Sequence, residues 1–299
     1  SCLVGGVTIG ASDLISKYFG AKNYHKVKVT SDTLQIFLLI SSAIMSILFF
    51  LLSRPMFRML SIPEEVIPDA VKYFDIVILT TTIPTFSLFG ISAIMRGVGN
   101  SKTPIYFTVA SILLNTVLDL VFVLVFGWGV AGVAWATAIA TFAGWVALWY
   151  YLNRAEWQFD WENFRISLKI GLPSGIQQVL VGIGSMALLS IVSPYGVSVL
   201  AAYTAAGRVD MFVSMPAMNL AAALSSFVGQ NLGADRFDRI RKGLWETLKY
   251  STAICILLTL VVVFFGENIM GLFVQANAPN HEEIIRIGKE YLLIVTSFY

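Results

Sequence analysis

The 299 residues are 57% hydrophobic and 13% charged, with a mean hydropathy of +0.77, a balance outside that of a water-soluble domain of this length. The net charge of +2 lacks the concentrated basic face that phosphate backbones require, so no nucleic-acid partner is expected. Cys2 and Cys255 lie far apart in apolar runs, and His25 and His281 stand singly in charged connections; neither a disulfide framework nor a metal-ligand set is indicated.

A bilayer core of about 30 Å takes about 20 apolar residues at 1.5 Å each. In chain order the apolar runs are 1–19, 33–53, 72–95, 104–126, 129–152, 166–192, 198–229, 246–266 and 286–299, the first and last shorter than a span and read as parts of one. Transmembrane strands would alternate over about ten residues. These runs are longer and apolar on all sides, which predicts helices and an all-α polytopic membrane protein. Pro104 opens its run, where a missing N–H does no harm, while Pro84, Pro173 and Pro216 fall inside runs and are expected to kink or unwind them.

Lys and Arg divide unevenly between alternate connections. Fourteen lie in one set, with loops at 20–32, 96–103, 153–165 and 230–245, and five in the other, with Arg208 inside a run as the twentieth. Such a bias places the richer set in the cytoplasm and implies a multi-pass protein of the cell (inner or plasma) membrane.

An internal repeat links SDLISKYFGAKNYHKVK at 12–28 with SSFVGQNLGADRFDRIR at 225–241, and KYFDIV at 72–77 with EYLLIV at 290–295. Six spans separate the two Gly-Ala turns, so the copies share one orientation and form parallel repeats about an axis along the membrane normal. A six-helix unit, twelve spans for two copies, and a division into an N-lobe at 1–152, a linker at 153–165 and a C-lobe at 166–299 follow as expectations.

Asp119 is the carboxylate that falls well inside a run, and a charge at that depth faces a polar cavity and serves function by default. Asn115 is one helical turn away on the same face. A hairpin centred near Trp128 pairs 119 with 137 and 115 with 141, which brings Thr137 and Thr141 to the acid and the amide, about 14 Å from the turn at 1.5 Å per residue. The constellation reads as a cation site; the competing reading is a helix–helix hydrogen-bond cluster. Oxygen ligands suit Na⁺, and a carboxyl group taken out of water can equally carry a proton. Asp13 and Asp75 are read as interfacial, Arg208 and Asp210 as structural, and Gln177 and Gln178 as weak candidates for substrate contact or as interhelical donors. Gly97 and Gly99 in RGVGN lack the Gly-Lys-Ser/Thr of a phosphate loop.

RGVGNSKTP at 96–104, WGVAGVAWATAIA at 128–140, GLPSGIQQ at 171–178 and VGQNLGA at 228–234 resemble, in order and spacing, the multidrug and toxic compound extrusion (MATE) family. The resemblance implies two six-helix lobes that export bulky, amphipathic, often cationic compounds by alternating access in exchange for Na⁺ or H⁺, without a cofactor and as a monomer in the lipid bilayer. In the DinF-like branch, an Asn and an Asp four residues apart on the fifth helix and a Thr on the sixth help hold the coupling cation. Asn115, Asp119 and Thr137 match that pattern. The acid that the NorM branch carries on its seventh helix is replaced here by Val181. An intramembrane enzyme would need a nucleophile–base pair, paired aspartates or a metal cluster, and the runs hold none of these. A lipid-linked oligosaccharide flippase of the same architecture, the alternative function, would need several cavity cations where the runs, away from their ends, offer only Arg208.

Overall fold

The computed structural model describes residues 2–59, 67–151, 157–274 and 280–296. Among them the chain forms α1 (Cys2–Gly20), α2 (Tyr24–Met59), α3 (Ile67–Gly97), α4 (Lys102–Leu120), a wide turn (Val121–Val125), α5 (Gly129–Tyr151), α6 (Trp161–Val192), α7 (Val197–Gly233), α8 (Phe237–Phe273) and α9 (His281–Val295). One helix stands at each expected run, and seven are long and apolar enough to cross a membrane. The helices outrun the apolar runs. With 36 residues, α2 measures about 54 Å at 1.5 Å per residue, so its first turns continue past the hydrocarbon and the connection before it shrinks from 20–32 to 21–23. The expected loops at 153–165 and 230–245 are likewise partly helical, because hydropathy marks only the lipid-buried part of a helix. Pro84, Pro173 and Pro216 sit within α3, α6 and α7, which continue through them.

The chain divides into two compact units, Ser1–Ile176 and Gln177–Tyr299, the division falling inside α6. In the first, Val7, Ala11 and Ile15 of α1, Leu34 and Leu38 of α2 and Ile94 of α3 form a core, and Ile91 and Met95 of α3 close on Leu148 of α5. Between apolar helices in lipid there is no hydrophobic drive, so small residues and hydrogen bonds hold them together. Both devices are present. Gly6 and Gly10 of α1 meet Ser167, Gly171 and Gly175 of α6 backbone to backbone, and a methyl group on Gly171 would overlap the Gly6 carbonyl. Along α2 a buried stripe of Ser31, Gln35, Ser42, Ser46 and Ser53 recurs at helical spacing. Gln35 Nε2 donates to the Ser87 carbonyl (3.3 Å), Ser87 Oγ to Gln35 Oε1 (2.8 Å), and Ser46 Oγ to the Ile78 carbonyl (2.7 Å) on α3.

The start of α6 is fastened by one aspartate. Asp160 caps it by accepting the Glu162 and Asn163 backbone N–H groups on Oδ1 (2.7 and 3.1 Å), its own N–H donates to Thr33 Oγ1 of α2 (2.9 Å), and Tyr18 of α1 donates to Asn163 Oδ1 (3.1 Å). In the second unit Ala205, Ala206 and Val209 of α7 pack with Val262 and Met270 of α8 and Leu292 of α9.

The repeat is visible in the backbone. At the first turn Ala21, Lys22 and Asn23 donate to the carbonyls of Lys17, Phe19 and Tyr18, and at the second Ala234, Asp235 and Arg236 donate to those of Gln230, Leu232 and Asn231. The pattern is the same with every residue shifted by 213. Lys22 and Asp235 occupy the left-handed region at φ 58° and 56°.

Candidate functional site

The site is set by the α4–α5 hairpin. Where α4 ends, the chain widens into one turn with Phe126 N–H bonded to the Val121 carbonyl (3.1 Å), five residues back, and Trp128 N–H to that of Phe122 (3.0 Å). Gly127 and Gly129 take φ of 66° and 56°, conformations that cost a side-chain-bearing residue about 1–2 kcal/mol. The rings of Phe122, Phe126 and Trp128 stack within 5.0–6.0 Å of one another and hold the turn closed.

Asn115 Nδ2 donates to Thr137 Oγ1 at 3.4 Å, and the same hydroxyl donates to the Val133 carbonyl (3.0 Å), so Thr137 is an acceptor toward α4. Gly144 closes on Ser111 and Gly132 on Phe122, so the hairpin is centred between 126 and 128, and both Thr137 and Thr141 come alongside Asn115, with the hydrogen bond made to Thr137. Asp119, one turn farther along α4, lies level with the stretch between Val133 and Thr137. It is half-buried, and its Oδ1 is enclosed without a hydrogen-bond partner among the described residues. In the other direction Asn115, Thr137 and Thr141 line a cavity of about 180 Å³ with Ser92, Thr108 and Ser111. The structure thus brings Asn115, Thr137 and Thr141 around one space and sets Asp119 beside it, outside its wall.

Gln177 and Gln178 are exposed on α6, as are Val181 on the same helix and Arg208 on α7, while Asp210 and Asp13 are half-buried. Two carboxylates are more enclosed than their places in the sequence imply. Asp32, assigned to a loop, is fully buried on α2 beside the buried Thr30, Ser31 and Thr33, because α2 begins eight residues before it. Asp75, read as interfacial, has an enclosed Oδ1 with no hydrogen-bond partner among the described residues. The signal available was the polar run TSDTLQ at 30–35, which begins where α2 enters its neighbours. Among the described residues no group of three His, Cys, Asp or Glu could hold a metal ion.

Long apolar helices, a polar hairpin inside them and a duplicated turn define a helical membrane protein built on a repeat. The MatE family profile matches residues 2–121 and 173–299, and the chain belongs to that family, whose members are transporters and not enzymes. It is 30% identical to the probable multidrug resistance protein YoeA of Bacillus subtilis over 98% of this chain and 66% of that one. It is 32% identical to YpnP, a probable multidrug resistance protein of the same organism, over 84% and 56%. The chain therefore spans about two thirds or less of the length of these relatives. A multidrug resistance MATE transporter of the MOP superfamily solved in its outward-facing conformation superposes with a TM-score of 0.89 at 22% identity, over 99% of this chain and 67% of that one.

Proposed function

We propose that the chain is the greater part of a secondary active multidrug efflux antiporter, which exports amphipathic, often cationic compounds in exchange for Na⁺ or H⁺ by alternating access. The observation that carries this reading is the enclosed, unpartnered Oδ1 of Asp119 one turn from the Asn115–Thr137 hydrogen bond. A buried acceptor left open is a place for a cation or a proton, since a carboxylate taken out of water without either is costly. Asp119, Asn115 and Thr137 hold the coupling ion, and Thr141 belongs to the adjoining cavity. At about 180 Å³ that cavity falls below the roughly 300–1,000 Å³ of drug-sized sites, so in this conformation it suits a hydrated ion. Gln177 and Gln178 are candidate substrate contacts. The two relatives named for multidrug resistance support the substrate class, and the charge bias supports cytoplasmic connections at 21–23, 98–101 and 234–236 in a cell membrane, with the protein acting as a monomer of two lobes.

The test is Asp119→Asn in proteoliposomes, with ethidium efflux driven by a Na⁺ gradient at constant pH and then by a pH gradient without Na⁺. Asn keeps the size and hydrogen-bonding capacity of the side chain and removes the charge whose differential binding couples the two conformations. Efflux under the productive gradient is expected to vanish at wild-type insertion, and Thr137→Ala to weaken it less, having removed one neutral ligand. Normal efflux by Asp119→Asn under both gradients would reduce the cluster to packing.

A further inference from the structure

Asp75 occupies the outer turns of α3, and three registers fix its surroundings. Gln35 against Ser87 and Ser46 against the Ile78 carbonyl set the antiparallel pairing of α2 and α3, which places Asp75 opposite the stretch between Ser46 and Ser53. Ile91 and Met95 against Leu148 set the parallel pairing of α3 and α5 and put Asp75 level with the first turn of α5. Asn115 against Thr137 and Ser111 against Gly144 put Asp119 level with residues 133–136. The two carboxylates therefore differ in depth by about 2–12 Å at 1.5 Å per residue. Each has an Oδ1 that is enclosed and lacks a hydrogen-bond partner among the described residues.

The repeat supplies a control for whether the fold needs an acid at this position. KYFDIV and EYLLIV align, so the counterpart of Asp75 is Leu293 on α9, and the second copy builds its helix with an apolar side chain there. Among the described side chains, the charged residues on the elements against this stretch are Arg54 on α2 and Lys72 on α3, both exposed. The first turns of α5 bring no ionisable group. An enclosed acceptor with an open lone pair, within an apolar helix long enough to cross a membrane and without an acid at the aligned place of the second copy, calls for a ligand.

We propose that Asp75 is a second ion-binding carboxylate of the first unit, taking a proton or a monovalent cation at the α2–α3 seam and adding a charge to the exchange carried at Asp119. The inference rests on the antiport reading above and extends it to a residue outside the hairpin. In the proton case the carboxylate gains one H⁺ in one conformation and releases it in the other. In the cation case Asp75 supplies the charge, and the hydroxyl oxygens of Ser46 and Ser53, which already donate to carbonyls, are free to accept or ligate.

Dicyclohexylcarbodiimide, which modifies protonated carboxyl groups in apolar surroundings, tests this in the wild-type protein. Peptide mass spectrometry is expected to find adducts at Asp75, suppressed by raising pH if the ligand is a proton and by Na⁺ at constant pH if it is the cation. In proteoliposomes Asp75→Asn is expected to keep substrate binding while exchanging one fewer positive charge per substrate, read from the gradient at which flux reverses. Absence of labelling at Asp75 in protein labelled at Asp119, or an unchanged reversal gradient in Asp75→Asn, overturns the proposal and leaves the Asp119 reading standing. Normal efflux by Asp119→Asn with a shifted reversal gradient in Asp75→Asn supports it and overturns the other. Should Asp75→Asn fail to insert, the wild-type labelling decides.

Discussion

The turns that join α1 to α2 and α7 to α8 share their hydrogen bonds bond for bond, yet the helices that follow them differ in what they bury. Shifted by 213, Asp32 and Gln35 of α2 correspond to Trp245 and Leu248 of α8. The first pair is 0% and 1% exposed and the second 57% and 47%. Ser42, Ser46 and Ser53 correspond to Cys255, Thr259 and Gly266, residues that are also small and offer fewer hydrogen bonds. The two copies share the turn, while the buried polar stripe of α2 has no counterpart on α8. The groups assigned to ion binding lie in the unit that carries the stripe.

The close approach of α1 to α6 gives the largest test of this comparison. Gly171→Leu would drive a side chain into the α1 backbone, where Gly6 and Gly10 leave no room. Overpacking of this kind costs about 1–3 kcal/mol and more when backbone must move, so loss of monodisperse protein on size exclusion is expected. Gly184→Leu, where a first side-chain carbon would meet nothing within 4 Å, should elute as wild type. Equal behaviour of the two would refute the contact.

A smaller effect sharpens the contrast between α2 and α8. Gln35→Leu makes α2 resemble α8 at that position and strands Ser87. Interhelical hydrogen bonds in membranes average about 0.6 kcal/mol and reach about 2, so unfolding in detergent should be easier by about 1 kcal/mol. In a double-mutant cycle with Ser87→Ala most of that loss should appear as coupling. Additivity would mean that the two side chains act independently.

The smallest effects belong to the turns. Gly99, at φ 85°, stands in a third turn of the same pattern, with Val98, Gly99 and Asn100 bonded to the carbonyls of Ile94, Arg96 and Met95. Gly99→Ala should destabilise by about 1 kcal/mol, and Lys22→Gly and Asp235→Gly should each stabilise by up to about 1 kcal/mol, since glycine alone enters this region without strain. Thermal unfolding checks the signs. Opposite signs at Lys22 and Asp235 would break the equivalence of the two turns.

Much of this was legible beforehand. Hydropathy located every helix, since lipid demands about 20 apolar residues whatever they pack against, and the Gly-Ala turns disclosed the repeat because their bonds are local. Depth and helical spacing brought Asn115, Thr137 and Thr141 together on the α4–α5 hairpin, as the structure does. Which threonine the Asn115 amide bonds was not legible, because both flank it across the hairpin and only the packed side chains choose between them.

Asp32 and Asp75 show the same limit from another side. Their positions were known, but burial depends on which neighbours close around a helix face. The sequence by itself determined the order and type of the described elements and the duplicated turn, which rest on interactions within a few residues or with the lipid. Tertiary structure alone decided that Gly6 and Gly10 meet Gly171, that Asn115 meets Thr137, and that two carboxylate oxygens are enclosed without a hydrogen-bond partner among the described residues. Those outcomes depend on contacts between segments tens to hundreds of residues apart, where a shift of one turn changes every partner.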